Sequence, residues 1–200
     1  MTDLFEDKAK DWDANERRTR LAAAIGSSIL EHVRLNERMS VLDFGAGTGL
    51  ITTRIAPRVK RVVAVDTSQA MLDELESKAE LKGRVETVCR DLLDGPLEDR
   101  FDLIVSAMAL HHVEDTSELM RAFHEQLNDT GMIALADLDK EDGSFHPADT
   151  QGVFHFGFDR DELRTIMQSN GFRRIEFFTA HIIQGEEKDY PVFLVTAGKA

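Results

Sequence analysis

The chain of 200 residues has one cysteine, Cys89, one tryptophan, Trp12, one tyrosine and four prolines. A single thiol forms no internal disulfide, so nothing here calls for an oxidising compartment. Basic residues are scarce as well: 24 Lys and Arg against 37 Asp and Glu leave a net charge of −13. A protein that grips a duplex or a transfer RNA needs a basic face to displace counterions, so nucleic-acid substrates are disfavoured. The small cluster Arg17, Arg18 and Arg20 reads as the solvated side of a helix. No apolar run reaches membrane-spanning length. The amino-terminal MTDLFEDKAKDWDANERRTR lacks the apolar core of a secretion signal. Repeats, low-complexity tracts and linkers are also missing. The expectation is one cytoplasmic domain over residues 1–200, with no membrane span. The oligomeric state has no signature in the sequence.

What is present is ordinary globular material, 42% apolar and 30% charged. Apolar runs with strand character fall at 40–44, 61–66, 84–90, 101–108, 131–138, 173–183 and 191–198. Helical patterns lie between them, at 17–34, 49–57, 68–81, 116–127 and 159–169. Asp159 suits a helix N-cap with Glu162 as its capping-box partner, and Gly171 suits the stop. The first five strands alternate with helices, the rhythm of a parallel sheet covered on both faces. Only the polar turn QGEEKD separates the last two, which predicts an antiparallel hairpin. The expected fold class is α/β: a doubly wound, Rossmann-like seven-stranded sheet, mostly parallel, with an antiparallel carboxyl-terminal hairpin. Residues 1–35 are expected to form a helical cap, with Trp12 as its anchor. The segment 140–158 lacks periodicity and is long for a loop, which suggests a lid over the ligand.

The stretch VLDFGAGTGL, residues 41–50, runs from the first strand into three glycines at alternate positions. Such a loop lets the backbone turn sharply and approach a ligand. In a doubly wound sheet it lies at the carboxyl ends of the strands, where ligands bind. Leu50 stands where a dinucleotide fingerprint needs its third glycine, and no Gly-Lys-Ser/Thr follows for a phosphate loop. Asp43 would repel a pyrophosphate by roughly 1–4 kcal/mol at about 4 Å, and would favour an ammonium or sulfonium ligand. Asp66 ends the second strand, where a carboxylate can accept from both ribose hydroxyls.

Together VLDFGAGTGL, VVAVDTSQAMLDE, VETVCRDLLDGPL and FDLIVSAMALHHVED resemble the successive motifs of class I S-adenosylmethionine-dependent methyltransferases. The likeness is to the small-molecule subgroup that includes quinone-biosynthesis enzymes, and it is strong over residues 39–138. The resemblance implies S-adenosyl-L-methionine as cofactor, and it implies roles for particular residues. Gly45, Ala46 and Gly47 would pack against its methionine part, with Asp43 near the amino group. Asp66 would take the ribose, and Met71 or Thr67 would cover one adenine face. Asp91 would accept from the adenine amino group, the Leu92 amide would serve the ring nitrogen, and Ser106 to Met108 would floor the reactive methyl. After the fourth strand, SAMA stands in place of the Asn/Asp-Pro-Pro-Tyr/Phe of nucleobase amino methylation, so a small-molecule acceptor is expected.

Methyl transfer from a sulfonium needs mainly positioning, and a base only where the acceptor must lose a proton. His111 and His112, in ALHHVED, and His155, in the 140–158 segment, are the catalytic candidates for the acceptor pocket. Asp137 and Asp139 could orient an acceptor or merely cap a turn. No metal-ligand spacing links His146, His155 and His181, so no metal is expected. Two other readings compete. One is a catalytically silent S-adenosylmethionine-binding regulatory or partner protein, the other a nicotinamide oxidoreductase, which Leu50 and Asp43 disfavour.

Overall fold

The computed structural model describes residue 3, residues 5–147 and residues 150–200. Residues 1, 2 and 4 of the expected cap, and 148 and 149 of the expected lid, lie outside the described residues. Seven strands form one sheet: β1 (Ser40–Phe44), β2 (Arg61–Asp66), β3 (Val85–Cys89), β4 (Phe101–Ala107), β5 (Leu127–Leu138), β6 (Phe172–Gln184) and β7 (Asp189–Lys199). Their order is β3-β2-β1-β4-β5-β7-β6. The first five pair in parallel, and β7 runs antiparallel to both β5 and β6. The expected mixed sheet and terminal hairpin are therefore present. The order reverses between β1 and β4, which opens a crevice at their carboxyl ends.

Period-two alternation supplies the two cores. Val41, Val62, Ala64, Leu103 and Val105 face α1 (Glu16–His32), α2 (Thr52–Ile55) and α3 (Gln69–Ser77). Leu42, Val63, Val65 and Ile104 face the other side, with α4 (Thr116–Gln126) and α5 (Arg160–Ser169). Each such Val, Leu or Ile side chain, fully buried, contributes about 1.5–3 kcal/mol. No helix of the described residues is long and apolar enough to cross a membrane.

Local signals account for most element ends. Asp159 accepts from the amides of Asp161 and Glu162, and Gly171 adopts φ +84° just past α5. Glu162 does not complete a capping box, because its carboxylate lies 3.5 Å from Lys140 Nζ instead. The helix expected over 49–57 shrinks to one turn, 52–55, followed by a 3-10 turn containing Pro57. Proline lacks the amide that a continuing α-helix would use. Strand β5 starts at Leu127, four residues before the expected 131, because Leu127 pairs with Phe101 across an irregularity in the β4 ladder.

The 140–158 segment is fastened at several points. Lys140 N donates to Phe158 O, Glu141 N to Phe156 O, and Phe154 N to His111 O, all within 2.9 Å. Phe158 is buried in the core. Arg160 forks onto Asp139 at 2.7 and 2.8 Å, so that carboxylate is engaged in a structural tie.

Candidate functional site

The glycine loop leaves β1 at the reversal in strand order. Gly45 N and Ala46 N both donate to Val65 O, at 2.8 and 3.1 Å, which folds the loop over the end of β2. Gly47 N then donates to Asp66 Oδ2 at 2.7 Å. Gly47 holds φ +54°, and a Cβ built there meets nothing within 4 Å. The position therefore faces open space through bare backbone, a cradle that a side chain would fill. Gly45, at φ +65°, has no such freedom, since a Cβ there would come within 2.4 Å of Ala109.

Asp66 also accepts from Ser68 N at 2.9 Å, while Ser68 caps α3 by accepting from Met71 N. This division of labour leaves Asp66 as the acid at the strand end and Ser68 as the N-cap. Burial raises the Asp66 carboxyl above the usual carboxylate range, against the pull of the amides of Ser68, Gly47 and Thr67. Asp43 is only 1% exposed and accepts from Thr52 Oγ1. Burial lifts it to about 7, with the charge of Asp66 adding to the rise and the Thr52 hydrogen bond opposing it. Asp91 accepts from Leu93 N at 2.9 Å, and Leu92 is buried. Ser106 is fully buried near the end of β4, and Met108 just beyond it takes φ +58°. A left-handed non-glycine residue at a ligand-bearing edge is a site of local strain.

An amino-terminal strap crosses these loops. Asp13 accepts from Thr48 Oγ1 of the glycine loop at 2.6 Å and pairs with Lys78 Nζ, beyond α3, at 2.6 Å. Asp3 accepts from Ser68 Oγ at 2.8 Å. Trp12 is anchored between the Arg18 guanidinium, 3.9 Å from its ring centre, and the edge of Phe5. Phe5 in turn meets the ring of His112 at 5.6 Å. The two carboxylates are invisible to motif reading, because their partners lie 35 and 65 residues away in the chain.

The three histidine candidates part company. His111 is 2% exposed, and its Nδ1 lies 2.8 Å from Oδ1 of the fully buried Asp137. Asp137 accepts further from the amides of His111 and Leu138, so it holds a histidine and is not free to face an acceptor. His112 directs Nδ1 to Gly152 O at 2.6 Å. Burial, and then the neighbouring His111, push His112 down to about 4. The rings of His111 and His112 lie 4.2 Å apart, and that of His146 lies 5.1 Å from His111. His155 is not brought to this cluster. Its Nε2 is 2.9 Å from Val113 O and 3.1 Å from Glu114 O, and its ring packs on Phe158 at 5.1 Å. A cleft of about 390 Å³ beside it, between 154–158 and α5, is lined by none of the glycine-loop residues.

That position makes a prediction. Removing the ring in His155→Ala forfeits its hydrogen bond to those carbonyls, worth about 1–2 kcal/mol. For a chain of this size that is a fall in Tm of roughly 2–8 °C. Affinity for S-adenosylhomocysteine, measured by calorimetry, should remain within twofold. A large loss of affinity at unchanged Tm would place His155 in the ligand site.

A glycine cradle, a strand-end carboxylate and a second acid beneath the loop lie at the switch point of a doubly wound sheet of Rossmann-like type. The methyltransferase-domain family matches residues 41–131. An uncharacterised methyltransferase of Schizosaccharomyces pombe is 36% identical over 135 residues, covering 60% of this chain and 48% of the relative. The ubiquinone biosynthesis O-methyltransferase of Azotobacter vinelandii is 32% identical over 56% of this chain and 49% of its own. The N-methyltransferase NodS of Bradyrhizobium japonicum, solved with S-adenosylhomocysteine, superposes with a TM-score of 0.74 at 17% identity, covering 98% of this chain and 94% of NodS. The chain is similar to methyltransferases, with the family match falling on residues 41–131. It spans about half the length of these two curated relatives.

Proposed function

We propose that this chain binds S-adenosyl-L-methionine at the glycine loop and transfers its methyl group to a small-molecule acceptor at the carboxyl ends of β4 and β5. The observation that carries the reading is the open backbone cradle at Gly47 with Asp66 hydrogen-bonded to its amide. The residues fit the cofactor. Gly45 to Gly47 would hold the methionine part, with Asp43 toward its ammonium. Asp66 would take the ribose, Thr67 and Met71 an adenine face, Asp91 and the Leu92 amide the adenine edge, and Ser106 the floor. The bound cofactor supplies a methyl group activated by a sulfonium, so the protein's task is to align the acceptor and exclude water. The strap from Asp3 to Asp13 and the fastened 140–158 segment would close the two sides of that space. The exposed thiol of Cys89 and the acidic net charge support a cytoplasmic role without nucleic acid.

A thermal-shift panel tests the reading, because a ligand that binds only the folded state raises Tm by mass action. S-adenosylmethionine and S-adenosylhomocysteine should each stabilise the protein, and NADH should not. The reverse result would sink it. A silent binding protein would give the same shifts, so turnover of the labelled methyl group separates that alternative.

The raised Asp43 adds a pH signature. Below about pH 7 the free protein holds Asp43 protonated, whereas a ligand ammonium favours the carboxylate. Binding therefore releases a proton there, and affinity should weaken as pH falls from 8 to 6. Calorimetry of S-adenosylhomocysteine in two buffers of different ionisation enthalpy reads the proton directly. Asp43→Asn should abolish the release. An unchanged release in that variant would assign the proton to another group.

A further inference from the structure

Among the described residues the large hydrophobic side chains left exposed are Phe154, Phe156 and Ile182. Two of the three, each 53% exposed, stand two residues apart on the stretch that leads into α5. A scattered apolar group on a surface needs no explanation, but a pair beside a concavity does. Both rings line the cleft of about 390 Å³ described above. Phe158, the next at this spacing, lines it too and is buried in the core. Leu163 and Ile166 of α5 add to its apolar lining. The walls are fixed before anything binds. Phe154 N donates to His111 O, the amides of Glu141 and Lys140 donate to Phe156 O and Phe158 O, and α5 is held in the core by Leu163 and Met167. A surface ordered in advance loses little entropy when it is covered.

The rim is acidic. Asp159 and Glu162 line the cleft, and the exposed Glu114 and Asp115 immediately precede Thr116, which also lines it. The amides of Glu162 and Asp161 hold the Asp159 carboxyl below the usual carboxylate range, so it stays charged. Lys140 is the lysine of the lining, and its ammonium lies 3.5 Å from Glu162, an internal sample of the charge this rim accepts. Arg160 is engaged elsewhere, forked onto Asp139 and bonded to Thr179. The Glu141 carboxylate is taken up by the amides of Gly143, Ser144 and Phe145 and by Lys188, 3.8 Å away, so it does not count toward the rim. Two helices start here, yet anions are disfavoured, because Asp115 and Asp159 already cap them.

Independently of the methyltransferase reading, we propose that this cleft docks a protein partner through a short segment that inserts a large apolar side chain and flanks it with lysine or arginine. The inserted side chain covers Phe154 and Phe156, and the basic flanks meet Asp159, Glu162 and the acids ahead of α4. One apolar anchor in a preformed cleft carries most of the affinity of such an interface, while the charged rim sets the rate and the choice of partner. Both rings are half in solvent, so a small molecule here would stay open to water, whereas its usual pockets enclose about 70–90% of its surface. A second copy of this chain brings the same acids and a net charge of −13, which opposes self-pairing at this rim.

The test selects a phage library of random dodecapeptides against the protein and counter-selects against Phe156→Ser. Clones that depend on Phe156 should carry Leu, Ile, Phe or Trp with neighbouring Lys or Arg. The synthetic form of the leading clone should shift amide resonances of residues 154–166 in 15N spectra. Phe154→Ser and Phe156→Ser, at positions already half exposed, should each weaken it about tenfold or more, the order expected for a central aromatic contact. Glu162→Lys should weaken it about tenfold at low salt and less at high salt. S-adenosylhomocysteine affinity should stay within twofold in all three variants, and a larger loss would make the cleft part of the cofactor site and refute a separate one. The proposal is also refuted if no clone depends on Phe156, if the clones are acidic or lack a large apolar residue, or if benzylammonium alone binds the cleft as tightly. Sedimentation showing a dimer that Phe156→Ser dissociates would give the cleft to a second copy and overturn the proposal as well.

Discussion

Gly47→Val should abolish binding of S-adenosylhomocysteine, lowering affinity on the order of a hundredfold or more, while the protein stays folded. Two effects act together. Valine carries a branched Cβ into the open space that the bare backbone presents, where a bound ligand would have to lie. It also resists φ +54°, a left-handed conformation that costs an L-residue roughly 1–2 kcal/mol. The protein's own atoms do not oppose the change, since an added Cβ meets none within 4 Å. The expected melting temperature therefore falls by only a few degrees. Calorimetry on the folded variant decides the matter: normal affinity would mean that the loop is not the cradle. Gly45→Val is a poor control, because its Cβ would strike Ala109 and unsettle the packing itself.

Asp66→Ala is expected to have the next largest effect. The carboxylate is held by the amides of Gly47 and Ser68, one on each oxygen. Each oxygen keeps a lone pair for a hydroxyl, so a ribose diol can be received without breaking either bond. Loss of hydrogen bonds to a charged group costs about 1.5–3 kcal/mol, which is roughly tenfold to a hundredfold in affinity. The variant also frees the Gly47 amide, so the loop loosens and a small fall in Tm accompanies the weaker binding. Asp66→Asn separates the two contributions, because its amide oxygen can still accept from Gly47. Should Asp66→Ala bind S-adenosylhomocysteine as the parent does, the ribose assignment fails.

Strands β1 and β2 were legible because their signals are local. In β1 and β2, an alternating or continuous apolar run ends at a glycine or an acid within six residues, and the observed bounds 40–44 and 61–66 match the expected ones. The Asp159 cap and the Gly171 stop are legible for the same reason, since each acts on amides or dihedrals a few residues away. The sequence was silent where a distant pairing decided the outcome. Leu127 joins β5 only because Phe101 lies beside it, and the 140–158 segment is fastened by carbonyls of the His111 turn and of its own far end.

The chemistry divides along the same line. Sequence alone determined the sheet class, the glycine loop, the strand-end acid and the family, because those features are spacings along one chain segment. Only the tertiary structure decided what each candidate histidine touches. His111, His112 and His155 are the same residue type, and the pair and the single residue are alike flanked by apolar neighbours in sequence. Burial on a fully enclosed Asp137 distinguishes the first, and a carbonyl of Gly152 engages the second. The third is directed to carbonyls at the start of α4. Glu141 and His146 are likewise defined by the fold, each keeping one buried side-chain atom without a partner. A side chain's hydrogen-bonding capacity is a property of its type, but whether that capacity is left unfilled depends on every group folded around it.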